Sequence, residues 1–342
     1  MSIRNWPGGF IRPVPVAPAG PYQDGAAPGV WTLDQQAFWQ KQGLWPIAGN
    51  VAPLGLFGGG NDTLNSVYRV TISTSGSAID FADLTVGRER MGACSSQTRA
   101  VFGGGTQGGG QRLNVIDFLS FSSSGNASDF GDLVATNELL AACSSSTRGL
   151  FAGGFIASGN RTNVIQYITI ASTGNTLDFG DLPTTIRGLA GCSSSTRGVF
   201  GGGNDPGSDV INVISYVTIA STGNAFDFGD LTVSRNNLVS CSNSTRGLFA
   251  GGENSSFQST NIIDYITINS LGNAIDFGDL ISVLNNGSSC ASSVTGLFSF
   301  PSDNTIQRVT IATTGNSVDF GDFPLSSGLR SPGACSNVHG GL

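Results

Sequence analysis

Short apolar runs and polar turns alternate along this chain in a fixed order. One unit shows the pattern. Gly188-Leu-Ala-Gly-Cys192-Ser is a brief strand of small residues, and Ser-Ser-Thr-Arg197-Gly198 is a polar turn. Gly198-Val-Phe200-Gly-Gly-Gly203 is a second strand ending in glycines. Asn212-Val-Ile-Ser-Tyr216-Val-Thr-Ile219 is a third. Its apolar side chains fall on both phases, as in a strand covered on both faces. After the turn Ser221-Thr-Gly-Asn224 comes a fourth strand, Ala225-Phe-Asp-Phe228-Gly-Asp230. The pattern predicts four short antiparallel strands and no intervening helix.

The unit recurs. Cysteines stand at 94, 143, 192, 241, 290 and 335, the first five 49 residues apart and the last gap 45. Asp-Phe-Gly-Asp, or Asp-Phe-Ala-Asp, begins at Asp80, Asp129, Asp178, Asp227, Asp276 and Asp319. A period near 50 with strand-like content marks a propeller blade. The ends complement each other. Leu54 to Gly60 matches a second strand without its first, and Pro332-Gly-Ala-Cys335-Ser matches a first strand without its second. Pairing them closes a ring and removes exposed sheet edges. The expected fold is therefore all-β: a six-bladed β-propeller over 51–342, closed by its N- and C-terminal strands, preceded by an arm at 1–50.

Composition narrows the function. A content of 39% hydrophobic residues is enough for a core, although only 11% of residues are charged. Net charge is −7, Lys41 is the only lysine, and no basic run occurs, which argues against nucleic acid and against an anionic membrane surface. Met1 to Phe10 lacks the apolar core of a signal peptide, and no stretch approaches the ~20 apolar residues of a membrane span. A soluble protein made in a cytosol is expected.

Arg187-Gly-Leu-Ala-Gly-Cys192, Gly198-Val-Phe-Gly-Gly-Gly203 and Asn212-Val-Ile-Ser-Tyr216 together resemble the kelch repeat over roughly 54 to 336. That family places a Gly-Gly pair at the end of the second strand and a Tyr in the third. It also carries a Trp in the fourth strand, where this chain has Phe81, Phe130, Phe179, Phe228, Phe277 and Phe320. Repeats of the form Tyr-Ile-Thr-Ile-Ala-Ser-Thr-Gly-Asn, then Asp-Phe-Gly-Asp-Leu, then Cys-Ser-Ser-Ser-Thr-Arg-Gly are similar to kelch-like repeats of structural proteins in tailed phages. So is the segment Ala27-Pro-Gly-Val-Trp31-Thr-Leu-Asp-Gln-Gln with Gly43-Leu-Trp45-Pro46. The resemblance implies a location in the virion, as a tail fibre or other appendage present in several copies or as a homo-oligomer. Its partners would be other virion proteins of baseplate, tail or capsid, and a glycan or protein on the host surface.

All four tryptophans, Trp6, Trp31, Trp39 and Trp45, lie in the arm, with Pro13, Pro15, Pro18 and Pro21 favouring extended backbone. Asp34 to Gln42 can form two helical turns before Gly43 and Pro46. Trp6, Trp31, Phe38, Trp39 and Trp45 are the candidate docking residues, because tryptophan is enriched at binding hot spots and an extended arm cannot bury four of them alone. Packing on the chain's own propeller is the competing reading.

Catalytic candidates are few. His339, the single histidine, lies past the last strand, where it is expected to fray. One histidine builds neither a His-based triad nor a multi-histidine metal site. Asp-Phe-Gly repeats once per blade and lacks the rest of the kinase set, so it reads as structural, its carboxylates accepting backbone hydrogen bonds. Cysteines in equivalent positions read as small buried thiols rather than disulfide partners or metal ligands. No cofactor, no metal and no enzymatic activity are expected. Arg88, Arg187, Arg235 and Arg330 precede blade cysteines by four to seven residues and are the candidate ligand site at the channel mouth, with pairing to Asp-Phe-Gly-Asp carboxylates as the alternative. Arg99, Arg148, Arg197 and Arg246 read as surface residues or inter-blade braces. The loops Thr106 to Gln111, Phe155 to Arg161, Asn204 to Asp209 and Asn254 to Ser259 vary while the framework repeats, which is where recognition is varied on a rigid scaffold. A non-viral kelch-type binding module for peptide or glycan is the alternative function.

Overall fold

The structure, a computed structural model, describes residues 34, 35, 52–61, 63–157, 159–207, 209–301, 303–326 and 328–342. Trp6, Trp31, Phe38, Trp39, Trp45, the proline-rich stretch and most of the helix expected at 34–42 lie outside the described residues.

Pro53–Leu342 forms a six-bladed β-propeller of four-stranded antiparallel sheets. Blade I consists of Gly333–Ser336, Leu54–Gly58, Ser66–Thr71 and Ile79–Asp83, from the axis outward. Blade II has Gly92–Ser95, Arg99–Gly103, Val115–Ser120 and Ser128–Asp132, and blade III has Ala141–Ser144, Arg148–Ala152, Thr162–Thr169 and Leu177–Ile186. Blade IV has Ala190–Ser193, Arg197–Gly201, Val213–Thr218 and Phe226–Asp230. Blade V has Val239–Ser242, Arg246–Ala250, Thr260–Thr267 and Ile275–Leu284, and blade VI has Ser288–Ala291, Thr295–Ser299, Thr305–Thr310 and Val318–Asp322. The ring closes as its ends predicted: Leu56 faces Cys335 and Phe57 faces Ala334 in antiparallel register.

Each repeated motif joins one blade to the next. The six cysteines are buried and unpaired, and burial pushes Cys192 up to about 12. Five of them, Cys94, Cys143, Cys192, Cys241 and Cys290, sit where a Cβ on Gly149, Gly198, Gly247, Gly296 or Gly55 of the following blade would go. Thiol and glycine therefore interlock. Arg148 and Arg197 stack on Tyr167 and Tyr216 at 4.5 and 4.7 Å and donate to the Ile219 and Ile268 carbonyls of the next blade at 2.7 and 2.9 Å. These arginines are inter-blade braces.

Asp-Phe-Gly-Asp acts through its main chain. The Asp181 N–H donates to Asn224 Oδ1 in the next blade's turn at 3.0 Å, and the Asp181 carbonyl accepts from Ala225 at 2.8 Å. The motif's first carboxylate is exposed in every blade, so the expected carboxylate caps are replaced by backbone bonds. Gly180 has φ +146°, and a Cβ there would run into the Gly223 carbonyl.

Serines of the innermost strands form a hydrogen-bonded ring. Ser144, Ser193 and Ser242 each donate a hydroxyl to the carbonyl of the equivalent residue one blade back, at 2.7–2.8 Å. Ser95 donates to Ser336 at 2.7 Å, and Ser336 donates to the Ala291 carbonyl. Ala291 has no hydroxyl, which leaves the Ser242 carbonyl without its donor. The Gly340 N–H takes that carbonyl at 3.0 Å. Residues 337–342 thus cover this end of the axial channel instead of fraying. His339 Nε2 lies 3.2 Å from Ser144 Oγ and 3.3 Å from the Ser95 carbonyl, while its Nδ1 accepts the Gly341 N–H at 3.0 Å.

Candidate functional site at the channel mouth

The opposite end of the channel carries the loops that vary. The connection entering each blade and the hairpin after its second strand lie side by side there: Glu89 bridges Thr106, Arg187 bridges Asn204, and Asn236 bridges Glu253. The floor is a closed circle of main-chain bonds. The N–H of Arg90 donates to Ser331, Leu139 to Arg90, Gly188 to Leu139, Asn237 to Gly188, Asn286 to Asn237 and Ser331 to Asn286, at 2.7–3.1 Å. All six residues have positive φ, and five carry side chains in that costly region. The circle fixes where the mouth side chains start.

Around this floor runs a string of ion pairs. Arg330 meets Glu89 at 3.2 Å, Arg90 meets Glu89 and Glu138 at 3.1 Å each, and Arg112 meets Glu138 at 2.8 Å. The string ends on Phe155, whose ring lies between the guanidinium groups of Arg112 at 4.3 Å and Arg187 at 4.6 Å. Arg161 donates to Asn204 Oδ1 beside them. Arg187 makes no ion pair among the described residues. Burial first, and then Arg161, hold its pKa below the usual arginine value, with Glu138 opposing them. Asn204 beside Arg187, and Asn236, Asn237 and Asn286 further round, line the opening with Arg90 and Arg187. Among the described residues two buried oxygens behind the mouth, Asn236 Oδ1 and Ser331 Oγ, have no hydrogen-bond partner. The mouth thus offers guanidinium donors and side-chain amides, a set suited to an acidic, hydrogen-bonding ligand.

The four sequence candidates separate. Arg187 and Arg330 stand at the mouth. Arg88 and Arg235 do not: both are fully buried behind it, paired with Asp117 at 3.1 Å and Asp264 at 2.6 Å. Their partners are third-strand aspartates of their own blades, not Asp-Phe-Gly-Asp carboxylates. A guanidinium carried inward needs a charge beside it, and only the buried aspartate supplies one. Sequence reasoning missed Glu89, Arg90, Arg112, Glu138 and Arg161. The positions five before each cysteine read Glu89, Glu138, Arg187, Asn236, Asn285 and Arg330, and that mixture of signs at one phase was the available signal. Among the described residues no cluster of His, Cys, Asp and Glu could hold a metal ion.

The buried pairs belong to a larger pattern at the seams between blades. Thr85 and Thr232 donate backbone and hydroxyl hydrogens to Asp117 and Asp264, so seams I/II and IV/V are ionic. At seams II/III and V/VI a glutamine takes the aspartate's place. Gln166 accepts from the Val134 N–H at 3.0 Å, and Gln307 accepts from the Ile281 N–H at 2.9 Å. Asn137 and Leu284 replace the arginine there. At seams III/IV and VI/I the donor position is Pro183 or Pro324, which has no N–H. Its third-strand partner is Ser215 or Tyr68, and the arginine position holds Ile186 or Leu329. Donor, acceptor and counter-ion change together, and each seam type returns after three blades.

Fold and mouth together define a β-propeller binding-module fold. Compared with protein-family models and with curated proteins, the sequence matches none.

Proposed function

We propose that this chain is a virion structural protein of tailed-phage type, a tail fibre or other appendage that works by recognition and not by catalysis. The observation that carries the reading is the split between frame and loops. Cysteine–glycine locks, arginine braces and the serine ring repeat around the propeller. The four hairpins after the second strands differ in sequence and share the mouth face with the ion-pair string. Such a frame holds variable loops rigid against a host glycan, a host protein or a neighbouring virion protein. The resemblance of the repeats and of residues 27–46 to phage structural proteins supports an anchoring role for the arm, with Trp31, Trp39 and Trp45 in a virion partner. Cryo-electron microscopy of the particle tests this. Propeller density on an appendage, with residues 1–50 running into another virion protein, is the expected result. Absence of the chain from purified particles would overturn it.

A second reading, a free kelch-type module for an acidic peptide or glycan, is favoured by Arg187, which makes no ion pair among the described residues and lines the opening with Asn236. It predicts saturable binding of an acidic ligand by the full chain, weakened about tenfold by Arg187→Ala, and an arm that assembles with nothing.

A further inference from the structure

Seams III/IV and VI/I both put proline at the donor position and an aliphatic residue at the arginine position. At VI/I the Tyr68 ring fills the space between the blades. It packs edge-on against Phe323 at 5.8 Å within a cluster that includes Phe57, Leu329 and Leu64. At III/IV the matching residues are Leu182, Phe200, Ile186 and Ile211. The register is the same, since Phe57 faces Tyr68 and Phe200 faces Ser215 across the second and third strands. Both rings of the VI/I pair are missing, since Ser215 stands for Tyr68 and Leu182 for Phe323. Ser215 leaves an apolar cavity of about 130 Å³ that opens beside Pro183 and Thr184. A dry cavity of about 150 Å³ lined by Leu, Ile and Phe accepts benzene in another protein.

We propose that the III/IV seam is a binding site for a small aromatic molecule whose phenyl ring takes the place that Tyr68 fills at VI/I. Ring against ring is the favoured packing because Phe200 remains at the back of the pocket, and an edge-to-face partner adds to the area buried. The ring should carry no buried hydroxyl. Ser66 supplies a hydrogen-bond partner to the Tyr68 hydroxyl, and the position matching Ser66 is Val213. Pro183 removes the backbone donor that bonds the third-strand side chain at four other seams, so no N–H from that position contests the space. This site is separate from the channel mouth and does not depend on the reading given for it.

Benzyl alcohol is the probe, titrated into the full chain with methyl NMR of Ile186, Leu182 and Ile211. Saturable shifts at these methyls, and their loss in Ser215→Tyr, are expected. Ser215→Tyr should also melt higher than the parent, because it fills the space that the Tyr68 ring fills at seam VI/I. If Ser215→Tyr does not fold, Ser215→Met serves, and it should weaken binding about tenfold by occupying part of the pocket. Three results would overturn the proposal: no saturable shift in the parent, undiminished binding in a filled variant, or equal affinity for cyclohexylmethanol.

Discussion

The ionic seam IV/V and the apolar seam III/IV are neighbours in one ring, built from the same repeat, yet they solve the same problem oppositely. Each must join the end of one blade's outer strand to the third strand of the next. At IV/V the Thr232 N–H and hydroxyl, Asp264 and Arg235 form a connected polar set, with Arg235 also donating to the Gly251 and Ile262 carbonyls at 2.8 Å each and only its Nε unbonded among the described residues. At III/IV the donor is deleted by Pro183, the acceptor shrinks to Ser215, and the cation becomes Ile186. A buried polar set is tolerable when complete and costly when partly broken, so it changes as a unit or not at all. That is why arginine stands six residues before the cysteine only where aspartate stands on the third strand.

The sharpest way to break this comparison is to change one member. Asp264→Gln places the blade VI acceptor beside an arginine that blade VI lacks, and leaves Arg235 buried without its counter-charge. A loss of about 3–5 kcal/mol in denaturant unfolding is expected. Arg235→Leu with Asp264→Gln recreates the Leu284–Gln307 combination, and should recover most of the loss. A double variant no more stable than the single one would show that the members do not act as a set.

A second test concerns the main-chain joint that all seams share. Gly180→Ala at III/IV forces a side chain into φ +146° and against the Gly223 carbonyl, and should cost about 2–3 kcal/mol. Seam I/II shows how the chain accommodates the larger residue. Ala82 stands at the glycine position there, the Gly125 N–H makes no bond to the Phe81 carbonyl, and Phe81 is half-buried where Phe130 and Phe179 are buried. If Gly180→Ala melts like the parent, the joint is more compliant than its geometry implies.

Much of the frame was legible because it is periodic. Cysteine spacing fixed the repeat, and the mismatched ends at Leu54 and Cys335 fixed the closure. What escaped was carried by the backbone or by pairs far apart in the chain. Asp181 works through its N–H and carbonyl, which its side-chain identity does not advertise. Arg235 and Asp264 are separated by a whole hairpin, and only a comparison of all six units at once exposes their joint variation. The docking of residues 337–342 depends on a hydroxyl that Ala291 lacks, a single departure that reads as neutral until the serine ring is seen.

His339 gives a pH-dependent form of the same contrast between complete and broken polar sets. Burial holds its pKa down at about 4, against an ordinary 6.5, with the Ser95 carbonyl opposing that shift. The neutral ring fits because Nδ1 accepts the Gly341 N–H, and a proton on Nδ1 would set donor against donor. A depressed histidine pKa means the released segment binds the proton first. The docked segment therefore contributes fully above pH 6.5, and its contribution falls as pH drops toward 4. About 2 kcal/mol of stability should be lost over that window. His339→Gln should flatten the profile, and a parent profile parallel to that of the variant would rule the mechanism out.

The smallest expected effect separates brace from seam. Arg197→Ala removes one guanidinium bond to the Ile268 carbonyl and the stack on Tyr216, both at the partly exposed rim of the IV/V joint. The carbonyl it leaves can turn to water, so no buried charge or orphaned group results, and a loss near 1 kcal/mol is expected. Combined with the Asp264→Gln change in the same seam, the two losses should add, because brace and ionic set share no atom. A coupling larger than about 0.5 kcal/mol in the double-mutant cycle would mean that rim and interior of a seam yield together, and that a blade joint is one cooperative unit instead of two independent contacts.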